Sequence, residues 1–195
     1  MRKARETPST WSHLITACRL VVATMVVCCF FYCAFILAFA QLVTPKRAEG
    51  SLIHNESGEV IGSELIAQGF SRSEYFWPRP SAVEYNASGS GGSNLSPAGQ
   101  ELRRRAQDVM RKIDVADGKP IPTDLLTASG SGLDPHISLT GAKFQAERVA
   151  RARGLSVAEV MSIIENYAEK QSGRFDSDPL VNVLALNTAL DKTYK

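Results

Sequence analysis

Between Pro122 and Ser138 the chain reads PTDLLTASGSGLDPHIS, which places Ser129, Asp134 and His136 in one short loop beside Gly130 and Gly132. Those residue types could do acyl-transfer chemistry if the imidazole reached the serine oxygen while the carboxylate oriented its other ring nitrogen. The spacing permits contact. A rigid Gly-x-Ser-x-Gly elbow is missing, however: Ser129 is framed by Thr127-Ala128 and Gly130-Ser131, and Ser131 by Ser129-Gly130 and Gly132-Leu133. The alternative use of the same residues is a turn in which Asp134 bonds local backbone ahead of Pro135. Ser129, Gly130, Ser131, Gly132, Asp134 and His136 are the candidate contact residues of this loop. A metal site is not expected, because His54 and His136 lie far apart and no ligand pair has helical or finger spacing.

A second polar loop, NASGSGGSNLSP from Asn86 to Pro97, offers Ser88, Gly89, Ser90, Gly91, Gly92, Ser93 and Asn94 as candidate nucleotide or partner contacts. Neither loop is followed by Gly-Lys-Ser/Thr, and neither has the spacing of a dinucleotide fold. A nest of backbone N–H groups remains open. The preceding YFWPRPSAVEY carries Tyr75, Phe76, Trp77 and Tyr85, more aromatic surface than a loose linker keeps, so an ordered loop anchored on a core or a partner is expected. These four are the candidate interface aromatics.

What positions these loops begins with a membrane helix. No charged residue occurs from Leu20 to Ala40, a run that would rise about 31 Å as a helix and cross a bilayer core. Ala38-Phe39-Ala40 also fits a signal-cleavage pattern, but the apolar run is long for a signal. The reading is a retained anchor within residues 14–43. Arg2, Lys3, Arg5 and Arg19 precede it, while Lys46 and Arg47 are soon diluted by Glu49, Glu56 and Glu59. That bias keeps residues 1–13 in the cytoplasm and puts residues 46–195 outside it. Cys18, Cys28, Cys29 and Cys33 all fall in or beside the helix, so no disulfide framework is expected in the exported part.

The exported part has the ordinary size of one domain, and its charges nearly balance, so no single-sign field argues for nucleic acid or a strongly charged partner, and no nucleic acid is expected. The basic triplet Arg103-Arg104-Arg105 reads as a solvated face or a lipid-headgroup contact. Two β-prone runs around Leu52-Ile53 and Val60-Ile61 predict a hairpin. Ser96 and Pro97 predict the start of a helix with Leu102, Ala106, Val109, Met110 and Ile113 on one face. A second helix is predicted from Ser138 to near Gly154. A third opens with the capping box Ser156-Val157-Ala158-Glu159, buries Val160, Met161, Ile164 and Tyr167, and ends at Ser172-Gly173. The tail LVNVLALNTALDK mixes strand and helix spacings and is left unassigned. The expected fold is α+β, one N-terminal transmembrane helix followed by a single extracytoplasmic domain.

YFWPRPSAVEYNASGSGGSNLSP, PTDLLTASGSGLDPHIS, QAERVARARG and the closing VNVLALN together resemble the KdpC family, the C subunit of the bacterial Kdp potassium-transporting ATPase. The resemblance implies an accessory, non-hydrolytic chain that works beside a potassium-conducting channel-like subunit, a P-type ATPase subunit, a small single-helix subunit and membrane lipid. It implies a catalytic chaperone that raises the ATP affinity of the hydrolytic subunit, with Ser88 to Gly92 as a nucleotide contact. No firmly bound cofactor is implied; ATP enters through the complex. The DKTGT phosphorylation motif of such pumps is missing, since Asp191-Lys192-Thr193 continues as Tyr194-Lys195. An extracytoplasmic loop could not touch cytoplasmic ATP, so under that topology coupling must be indirect, or the domain is a cap on the conducting subunit. The alternatives are an anchored extracytoplasmic serine hydrolase or a small-ligand binding module.

Overall fold

A computed structural model describes residues 9–55, 57–113, 120–170 and 178–194. Arg2, Lys3, Arg5, Glu56 and the Ser172-Gly173 stop therefore lie outside the described residues. The chain divides into two units, Met1–Ser51 and Leu52–Lys195.

The first unit is a nearly continuous helix. Ser9 caps α1 (Thr10–Met25) by accepting from the Ser12 N–H; a π segment (Val26–Phe31) follows, then α2 (Tyr32–Val43) and the single turn α3 (Pro45–Ala48). From Thr10 to Val43 this helix is long and apolar enough to cross a membrane.

The second unit mixes helix and sheet. The expected hairpin forms from β1 (Leu52–His54) and β2 (Val60–Ser63), antiparallel with a register shift between Ile53 and His54. After it the chain runs to α4 (Gln100–Ile113) without a further helix or strand. The helix predicted from Ser96 starts later. Ser96 to Gly99 closes a turn of its own, with the Gly99 N–H on the Ser96 carbonyl at 2.9 Å. Its core-facing stripe ends in buried Ile113, but Met110 is 48% exposed rather than packed.

α5 (Thr123–Leu126) and β3 (His136–Ser138) bracket the second glycine loop, and α6 (Leu139–Arg153) follows at once. Ser138 caps α6 by accepting from the Gly141 N–H. Gly154 ends it in the left-handed region at φ 68°, as its position just past the last turn predicts. α7 (Val157–Asn166) carries the full capping box of Ser156 and Glu159, and buries Val160 and Ile164. It stops at Asn166, so Tyr167 lies past its end and is exposed, and the chain turns directly into β4 (Ala168–Glu169).

The unassigned tail is a strand joined to a helix, β5 (Leu180–Asn182) and α8 (Val183–Thr193). β5 is the middle of a three-stranded antiparallel sheet of order β3-β5-β4, with Ile137 opposite Val181 and Ala168 opposite Val181. Asn182 ends the strand and caps the helix: its Oδ1 accepts from the Ala185 N–H, and its Nδ2 donates to the Glu64 carbonyl beyond the hairpin. Phe76, Ile137, Val149, Ile164, Leu186 and Leu190 form the centre of one apolar core, each at most 1% exposed. At roughly 1.5–3 kcal/mol for each large apolar side chain buried, this core is the main force that fixes the unit.

Candidate functional site

The stretch between the hairpin and α4 has few backbone partners of its own, so its polar backbone must be satisfied by side chains. Two buried amides do this. Asn187 on α8 accepts from the Phe76 N–H at 2.8 Å and donates to the Phe76 carbonyl at 3.0 Å, so one side chain reproduces both bonds of a strand pair. Gln145 on α6 does the same for Trp77, at 2.9 and 3.1 Å. Arg148 extends the clamp by donating to the Ser73 and Tyr75 carbonyls, and its guanidinium lies 4.0 Å over the Trp77 ring. Burial pushes the Arg148 pKa down to about 10, which leaves it charged at neutral pH and able to stack on the indole. Arg153 donates to the Glu74 carbonyl and pairs with Asp191 at 2.7 Å.

The four candidate aromatics therefore have different positions. Phe76 has no exposed surface and is a core residue, so it offers no side chain to a partner. Trp77 is half-buried beneath Arg148. Tyr75 bonds Asp191 through its hydroxyl and packs on Phe70. Tyr85 donates its hydroxyl to the Arg79 carbonyl, and burial raises its pKa. Its backbone sits at φ 58°, a costly conformation for a bulky residue, and Ser81 Oγ holds it by accepting from the Tyr85 N–H at 3.0 Å.

Beyond Tyr85 the two glycine-rich loops, 41 residues apart where Ser90 meets Ser131, come together. The Gly91 N–H donates to the Ser131 carbonyl at 2.8 Å, and Ser90 Oγ donates to the same oxygen at 3.1 Å. Gly92 approaches Gly130 so closely that a Cβ on it would lie 3.1 Å from the Gly130 carbonyl oxygen. Ser81 Oγ donates to the Gly132 carbonyl, and the Ser129 N–H donates to the Pro80 carbonyl. Ser88, Gly89 and Ser90 stay exposed on the outside, Ser93 is half-buried, and Asn94 is exposed with φ 50°. These bonds tie the two loops to each other and to the Pro80-Ser81 segment.

Asp134 is the hub beneath. Its Oδ2 takes Arg79 Nη1 at 3.4 Å, while its Oδ1 accepts from the His136 N–H at 3.0 Å and faces His136 Nδ1 at 3.4 Å. The side-chain bond from His136 is the chief reason its pKa lies below the ordinary aspartate value; the charge of Arg79 acts in the same direction. Ser129 does not complete a relay. It is 2% exposed, its Oγ lies 3.3 Å from Ser131 Oγ and accepts from the Asp134 N–H at 3.5 Å, and no hydrogen bond joins it to His136. A sealed hydroxyl without its base is no nucleophile, and the hydrolase alternative is not favoured. Among the described residues no group of three or more His, Cys, Asp or Glu side chains could hold a metal ion.

The nest possibility also meets a geometric limit. A phosphate cradle needs successive N–H groups free to turn outward. Here the Ser88 N–H bonds Asn86 Oδ1, the Gly89 N–H bonds the Asn86 carbonyl, and the Gly91 N–H bonds Ser131. Gln145 and Asn187, which sequence reading missed, fix the backbone of the aromatic segment at Phe76 and Trp77. Their signal was present, each being an amide on an otherwise apolar stripe, between Ala142, Ala146 and Val149 in one case and Leu186 and Leu190 in the other.

Residues 14–192 match the protein family described as "KdpC: K+-transporting ATPase, c chain". The chain belongs to the KdpC family. It is 48% identical over 178 residues to the potassium-transporting ATPase KdpC subunit of Parvibaculum lavamentivorans, covering 91% of this chain and 95% of that one. The subunits of Myxococcus xanthus and Geobacter sulfurreducens of the same name are 41% and 45% identical, over 94% and 92% of this chain and 90% and 97% of theirs. KdpC is a subunit of the potassium-transporting ATPase, and the apolar helix of this member is consistent with a membrane-anchored subunit.

Proposed function

We propose that the chain acts as the accessory, non-hydrolytic subunit of its potassium-transporting ATPase, supporting assembly of the complex and raising the ATP affinity of the hydrolytic subunit. Its partners in this reading are the channel-like, P-type and small single-helix subunits. The N-terminus is inside, and the α+β unit lies outside the cytoplasm, as the flanking charges suggest. The observation that carries the reading is the joined pair of glycine-rich loops, which presents a polar surface on which the Ser88, Gly89 and Gly91 N–H groups are already bonded within the chain. Such a surface suits a protein partner better than a phosphate. An effect on ATP affinity then travels as a difference in how tightly this subunit binds two states of the pump.

The test is topological. Single cysteines replace Ser90 and Ser131 in the full chain, the native cysteines having been removed, and intact spheroplasts are exposed to a membrane-impermeant thiol reagent. Labelling from outside is the expected result and leaves indirect coupling as the mechanism. Labelling only after lysis reverses the topology and makes direct nucleotide contact at Ser88–Gly92 the better account. In the assembled complex, His136→Ala should change the apparent ATP affinity or the yield of complex while hydrolysis persists; loss of all hydrolysis would sink the accessory role.

A further inference from the structure

Helix α4 carries a charged face that neither the core nor the joined loops use. At about 100° per residue, Gln100, Arg103, Arg104, Gln107 and Arg111 fall within one arc of about 100°, and Arg103 and Arg111 are about 12 Å apart along the axis. All five are exposed. The opposite arc faces inward through Val109 and Ile113. No acidic side chain lies within the stripe. Asp108, just beyond its edge, touches Arg111 at 3.4 Å, but with the two side chains 77% and 57% exposed the pair leaves the guanidinium open to another anion. Met110 borders the stripe next to Arg103 and is 48% exposed, an apolar group beside the cations.

We propose that the Arg103–Arg104–Arg111 stripe of α4 docks on the phosphate headgroups of anionic phospholipid. Planar guanidinium groups fit phosphate oxygens in pairs, glutamine amides between them can donate to the same oxygens, and a bordering methionine enters the headgroup layer. The complement is lipid rather than an acidic protein because of the tether. Only eight residues separate Val43, the end of the apolar helix, from Leu52, where the second unit begins. Any membrane that holds the helix is thereby kept at high effective concentration around the unit. The inference rests on that helix being inserted, so insertion is read separately.

The full chain, with its native cysteines replaced, is reconstituted in nanodiscs of phosphatidylcholine alone or with roughly a third phosphatidylglycerol. A fluorophore sits at Gln107, at Ser162 on α7 as a control, or at Val27 to report insertion. With phosphatidylglycerol the Gln107 label should lose access to an aqueous quencher, and about 0.5 M salt should restore it. The Ser162 label should not change. Each Arg→Gln substitution at 103, 104 or 111 should weaken the protected state about fivefold, and the triple variant should match the behaviour in phosphatidylcholine. Equal access in both lipids, with Val27 showing insertion, overturns the proposal. Protection that appears only when the other pump subunits are added also overturns it and assigns the stripe to an acidic protein surface.

Discussion

The two glycine-rich loops are written in nearly the same letters, Ser-Gly-Ser-Gly-Gly at Ser88–Gly92 and Ser-Gly-Ser-Gly at Ser129–Gly132, yet they do opposite jobs. In the second, Gly130 and Ser131 are exposed but Ser129 and Gly132 are buried, and Gly132 sits at φ 72° against Val83 and the Gly91 carbonyl. In the first, Ser88 to Ser90 are exposed and Gly89 has open space around it. The inner loop is a support, and the outer one is laid across it. Composition alone cannot tell them apart, because the distinction depends on what each glycine touches.

Substitutions can break that contrast. The largest effect is expected at Gly132→Ala, where a Cβ would lie 2.7 Å from Val83 Cγ2 and 2.8 Å from the Gly91 oxygen at a left-handed φ. A loss of about 2–4 kcal/mol is expected in thermal or denaturant unfolding of the purified chain. Ser129→Ala comes next, at about 1 kcal/mol, since it removes the 3.5 Å acceptor of the part-buried Asp134 N–H. If it instead removed a hydrolytic activity while leaving the melting temperature unchanged, the support role would fail.

The hub titrates with a defined sign. Because Asp134 is held below the ordinary aspartate pKa, its bonds to His136 and Arg79 contribute stability that is fully present above that ordinary value and is lost as pH falls through the lower folded-state one. The melting-temperature gap between wild type and Asp134→Asn should accordingly close as the pH falls below about 4. Smallest of all is the outer loop. Gly92→Ala must displace the Gly130 backbone and should cost about 1 kcal/mol, whereas Gly89→Ala meets nothing and should stay within about 0.5 kcal/mol. Equal losses at Gly89 and Gly132 would erase the difference between the loops.

Local signals were readable in the sequence and long-range ones were not. Ser138, Gly154 and the Ser156–Glu159 box act within one turn of their own helix, and each marks a helix end in the structure. Ser96-Pro97 misled because four residues closed a turn before the helix began. The tail resisted assignment because β5 has three residues and gains its strand character only by pairing with β4 and with β3, the latter far away in the chain. Asn182 was the missed marker, a strand end and a helix cap in one residue. At the site, the two glycine-rich loops were legible as segments. Their mutual contact was not, since it joins segments 41 residues apart through the Ser90 hydroxyl, the Gly91 N–H and the Ser131 carbonyl, which no local pattern marks.

The π segment has a geometric result of its own. At its end the Tyr32 N–H reaches back five residues to the Val27 carbonyl, which fits about one more residue into that turn than an α-helix holds. One extra residue rotates everything after it by about 100°. A stripe that runs straight along α1 therefore does not continue into α2; it steps sideways at Cys28 and Cys29. A single rod of this kind shows one side to its surroundings at one depth and a different side at the other, so two neighbours could each grip it without competing for the same face.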